Sequence, residues 1–150
     1  MMAQHPSAPT RERSIAILTH EVAGDAQQVS GIRALARTAL AQHLPNLPDL
    51  PDLIDDVEMV LSELVGNAIR HTSSGRGGTV RTTIKFTPGR RVRIEVADDG
   101  GAVSLPRIGE IDRDAIGGRG LQVVDKLATT WNFRATREGT TIWAELTGQP

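Results

Sequence analysis

A chain of 150 residues has room for one domain with a proper core, and not for two. With 39% hydrophobic and 23% charged residues it reads as globular, and a net charge of −1 without any Lys/Arg block argues against an electrostatic nucleic-acid binder. The absence of cysteine excludes disulfides, thiolate zinc sites and Cys nucleophiles and fits a reducing cytoplasm, and no apolar run is long enough to span a bilayer.

Residues 1–13, "MMAQHPSAPTRER", are polar, hold no apolar signal core and are expected to form a disordered tail, leaving 14–147 as the folded domain. "SIAILTHEV" is β-rich and predicts a first strand. "AGDAQQVSGIRALARTALAQHL" brings Val29, Ile32, Leu35, Ala36, Ala39 and Leu40 to one face of a helix, with Asp25 as its N-cap. After the Pro-rich loop "PNLPDLPD" a second helix is expected from about Asp52 to Arg70 or His71. "SSGRGG" turns into "TVRTTIKFTPGRRVRIEVADDG", which alternates on both sides of "PGR" as a β-hairpin does. "GAVSLPRIGEIDRDAIGGRG" has no period and five glycines, and a stretch of that length in a compact domain tends to be functional. A short helix, "LQVVDKLA", and a closing hairpin with its turn at "REG" complete the order β-α-α-β-β-loop-α-β-β. Clustered hairpins predict an α/β fold of the α+β two-layer kind, a mostly antiparallel sheet with helices on one face.

Three places carry chemistry. On the second helix Val57, Val60, Leu61, Leu64, Val65 and Ala68 share an apolar face, and Glu63, Asn67 and Arg70 line its edge. Taken alone, that strip reads either as surface pairs at helical spacing or as metal–phosphate chemistry. In the second case the Asn oxygen is a hard ligand for Mg²⁺, and a carboxylate one turn earlier orients a water or accepts a hydroxyl proton. "RIEVADDGG" ends a strand on Asp98, which is either part of an ordinary Asp/Gly turn or an acceptor for a ligand's exocyclic amine, with Gly100 allowing close approach. "GGRGLQVV" sets Gly117, Gly118 and Gly120 before a helix, where bare amides attract phosphate, although neither a Walker A sequence nor a dinucleotide fingerprint is present. His20, His43 and His71 lack metal-ligand spacing, and Trp131 and Trp143 read as core or sheet-edge residues rather than a base-stacking platform.

Together, "ELVGNAIRH", "DDGGA", "GRGLQVV" and "GTTIWAEL", in that order, resemble the GHKL ATP-binding domains of histidine kinases, DNA gyrase and their relatives. The resemblance covers residues 15–146 and is nearest to the small stand-alone anti-sigma-factor serine kinases of actinobacterial type. It implies a Bergerat-type fold with a mixed, mostly antiparallel sheet. It also implies Mg²⁺ on Asn67, Glu63 as general base or water-orienting residue, and Asp98 accepting from the adenine amino group with Gly100 close to the ring. Gly118 and Gly120 would offer amides to the phosphates, and Thr140 would bond near adenine. Arg70 would either stack near the nucleotide or pair with an acidic residue, and residues 100–120 would form the ATP lid. The chain departs from the family's D-x-G-x-G at its last position, Ala102.

The resemblance implies a cytoplasmic serine/threonine kinase that uses ATP and Mg²⁺ to phosphorylate an anti-anti-sigma-like partner, with a sigma factor as second partner and transcription controlled by partner switching. Dimers are common in that branch, and neither direct nucleic-acid contact nor a membrane is implied. A non-catalytic, ATP-gated interaction module stays open beside it, and a detached histidine-kinase domain is disfavoured because there is no room for a helix pair carrying a phosphoacceptor His.

Overall fold

The computed structural model describes residues 13–71, 78–87, 91–99 and 119–147. Five strands run in chain order as β1 (Ile15–Ala23), β2 (Thr79–Thr87), β3 (Arg91–Asp98), β4 (Thr130–Thr136) and β5 (Gly139–Thr147). They lie in the spatial order β1-β2-β3-β5-β4. All four pairings are antiparallel, so the described sheet contains no parallel pair of the kind a mixed sheet would have. β5 reverses from β4 through a tight turn at Arg137 and Glu138, and then pairs with β3 on its other side. Gly139 closes that turn at φ 149°, a region that L side chains rarely enter.

Alternation along each strand sends every second residue to one face. Ile84, Ile94 and Ala144 stand in one cross-strand row, and Val96 and Ile142 in the next; all five are buried against the helices. Among the described residues no helix lies over the opposite face, which carries charge. Glu95 accepts from Arg93 Nε at 2.8 Å and from Lys85 Nζ at 3.2 Å, and Arg93 also reaches Glu145 at 3.3 Å. The Arg93 guanidinium lies 4.9 Å from the Trp143 ring centroid, so the indole's apolar face is covered by a cation.

The helical layer consists of α1 (Val29–His43), α2 (Leu50–His71) and α3 (Arg119–Leu127). Asp25 caps a 3-10 turn at Ala26–Gln28, accepting from the Gln27 N–H at 3.0 Å, and α1 proper starts only at Val29. α2 begins two residues earlier than its sequence suggests. Leu53 donates to the Asp49 carbonyl at 3.0 Å, and Pro51 is tolerated because first-turn N–H groups have no intrahelical acceptor. The six apolar positions read on α2, from Val57 to Ala68, are all buried. α2 is the hub of the domain, touching α1, α3, β2, β3 and β5. Among the described residues no helix is long and apolar enough to cross a membrane. The expected tail lies outside the described residues apart from Arg13.

Candidate functional site

The site is built first on α2. Its C-terminal half lies over the sheet, and the turn from Glu63 to Asn67 carries the side chains along the edge of the buried stripe. Asn67 is only 2% exposed, one of two polar residues in the buried set of the described chain. Glu63 is half-buried and Arg70 exposed. Arg70 folds back along its own helix and donates from Nη2 to Asn67 Oδ1 at 3.4 Å, a long contact. The guanidinium can lie there because residue 66 is glycine; a Cβ at Gly66 would come within 3.0 Å of Arg70 Nη1. Among the described residues Glu63 makes no hydrogen bond or ion pair. The surface-pair reading of this strip therefore fails for Glu63, whose carboxylate is not spent on Arg70 or any other described cation.

The second part is the end of β3. Asp98 continues the row of Val92, Ile94 and Val96 on the helix-facing side. Its Oδ1 accepts the backbone N–H of Thr140 at 3.0 Å. Two residues singled out separately from the sequence are thus in direct contact, the carboxylate on β3 and the threonine at the second position of β5. The neighbouring Asp99 accepts the backbone N–H of Thr79, the first residue of β2, through Oδ2 at 2.9 Å.

The third part is α3, which packs on α2 through Leu121 and Val124, 4% and 0% exposed. Gly120 lies in its first turn. Its amide therefore belongs to the N–H groups that a helix start leaves without partners, the property that suits such a position to phosphate. Trp131 on β4 donates its indole N–H to Asp125 Oδ1 on the same helix, which ties α3 to the sheet. Gly100, Ala102, Gly117, Gly118 and the expected lid as far as residue 118 lie outside the described residues.

A cleft of about 400 Å³ opens at the same end of the sheet, lined among others by Glu21, Arg81, Asp99, Arg134 and Thr141. Arg81 and Thr141 alternate with residues that face the helices, and Asp98 lines the cleft as well, so it reaches the carboxylate at the end of β3. Among the described residues no group of three or more His, Asp or Glu side chains is gathered as a ready-made metal cage.

The family model of the histidine kinase-like ATPase domain matches residues 22–146. The chain belongs to this family. It is an ATP-binding domain of the histidine kinase-like ATPase type, and the antiparallel sheet under a helical layer is consistent with the GHKL fold. No curated protein matches the chain. Two residues of this ATPase domain were not singled out by sequence reasoning, Asp99 and Gly66. The doubled Asp at a strand end and a Gly inside a helix were their respective signals.

Proposed function

We propose that the protein is a cytoplasmic serine/threonine kinase that transfers the γ-phosphate of Mg-ATP to a serine of an anti-anti-sigma-like regulator, and that a sigma factor is its second partner. The observation that supports transfer rather than mere binding is on α2: a half-buried carboxylate, Glu63, without a described partner, one helical turn from the buried amide of Asn67. The Asn67 side chain fits a divalent cation, because its oxygen is a hard donor and already faces a guanidinium. Asn67 would hold the metal, which supplies charge neutralisation to the phosphates when bound.

The chain's own residues do the rest. Asp98, fixed by the Thr140 amide, accepts from the adenine amino group. The first-turn amides of α3, Gly120 among them, hold phosphate oxygens, and Arg70 adds positive charge beside them. Glu63 takes the proton of the attacking Ser hydroxyl. As the new Oγ–P bond forms, the bond from the γ-phosphorus to the bridging oxygen breaks, and ADP leaves with that electron pair. Phosphorylation of the regulator then releases it and leaves the kinase for the sigma factor.

The test is incubation with γ-labelled ATP, Mg²⁺ and candidate regulators. Label on a serine of one regulator, lost in Glu63→Ala, supports the kinase. Tight ATP binding with no transfer to any regulator overturns it in favour of an ATP-gated interaction module.

A further inference from the structure

Strand β3 has a neighbour on each side, β2 and β5; it ends on Asp98, and a second carboxylate, Asp99, follows directly. A strand that leaves the middle of a sheet threatens to strand an N–H on both flanks. Here each flank is met by a side chain in place of a backbone carbonyl. Asp98 Oδ1 takes the Thr140 N–H of β5 at 3.0 Å, and Asp99 Oδ2 takes the Thr79 N–H of β2 at 2.9 Å.

The Thr79 contact matters because of what lies on either side of it. Thr79 opens β2, the next element after α2, which carries Glu63, Asn67 and Arg70. Asp99 follows Asp98 directly. Its carboxylate is therefore a cross-tie between the α2 side of the site and the backbone from which Asp98 projects. We propose that Asp99 is a positioning residue: by holding the Thr79 amide it sets the Asp98 carboxylate for the purine amino group. This rests on the ATP-binding reading and deepens it.

The test is titration of ATP and of adenosine into the wild-type chain, Asp99→Ala, Asp99→Asn, Asp98→Ala and the Asp98→Ala/Asp99→Ala double variant. Asp99→Ala is expected to bind both ligands about tenfold more weakly. Asp99→Asn keeps an oxygen for the Thr79 N–H and is expected to stay within about twofold of wild type. Because Asp99 acts through Asp98, the double variant is expected to match Asp98→Ala rather than to add a second loss. Wild-type affinity in Asp99→Ala, an equal loss in Asp99→Asn, or additive losses in the double variant would each overturn the proposal while leaving ATP binding intact. A wild-type chain that binds neither ligand would overturn the ATP reading and this proposal together.

Discussion

The guanidinium of Arg70 rests on the amide oxygen of Asn67, one turn back on the same helix, in a place kept open by Gly66. A cation already stands at the oxygen expected to meet Mg²⁺. Two positive charges at one oxygen repel, so metal arrival is expected to weaken or displace the Arg70 contact. Arg70→Gln is therefore expected to raise the ratio of ATP affinity with Mg²⁺ to that with chelator, even if both affinities fall. An unchanged ratio, measured by calorimetric titration, would show that the guanidinium offers no competition.

Gly66→Ala tests the same seat from below. Alanine is the better helix former by about 1 kcal/mol, and the added Cβ meets only the far end of a flexible side chain, 3.0 Å away. The variant is expected to be more stable in urea, by up to about 1 kcal/mol, with an altered Mg²⁺ dependence of ATP binding. Loss of stability would mean that Arg70 cannot give way.

Asn67→Ala is expected to weaken Mg-ATP binding at least about tenfold, roughly 1.4 kcal/mol, while weakening metal-free ATP binding less. Its folding cost should be small for a buried residue, since the one side-chain hydrogen bond it has among the described residues is long. Equal losses with and without metal would sink the assignment of Asn67 as the metal ligand.

Thr82 lies on the helix-facing side of β2, between His20 and Val96, fully buried, and its hydroxyl has no hydrogen-bond partner among the described residues. Valine has the same shape without the orphaned group. Thr82→Val should gain about 1 kcal/mol in chemical denaturation. A destabilised variant would point to a partner for that hydroxyl in solution.

Glu95 gives the sheet's open face a pH dependence. Burial pushes its carboxyl up, but hydrogen bonds and charge attraction from Arg93 and Lys85 outweigh it and hold the group below the usual glutamate value of 4.5. A carboxyl lowered by folding contributes stability that is complete above its unfolded value and is lost as the pH falls through the folded one. Glu95→Gln is expected to cost about 1 kcal/mol near neutrality and nothing once the carboxyl is protonated. Urea midpoints of the two proteins should converge as the pH drops through the acid range; a constant gap would contradict this.

The hydrophobic period of α2 was legible because its six core positions repeat at the helical interval and every one is buried. The strand alternation around "PGR" was equally open, since it is local and binary. Helix starts were less so. Pro51 looks like a loop residue until the absence of an N–H is weighed against a first turn that needs none, and Asp25 caps a 3-10 turn that periodicity does not distinguish from an α-helix. Within the site, Asn67 could be picked out because the strip it shares with Glu63 and Arg70 along the edge of the apolar face is followed in order by "DDGGA" and "GRGLQVV". Asp99 could not. Its role depends on the Thr79 amide 20 residues earlier in the chain, a contact set by strand register rather than by any local pattern.

The two outermost strands have a consequence of another kind. β1 is broken by an irregularity between Ala16 and Leu18, and on β4 the Asn132 side chain takes the N–H of Phe133 at 2.8 Å. A rim interrupted on one side and self-satisfied on the other is a poor template for a further strand from another molecule. Fibril-like growth by sheet extension is thereby discouraged at both ends, although the sheet's interior strands, rich in Val, Ile and Thr, have the composition that favours it. Such rims steer association onto side-chain surfaces, where contacts can be undone.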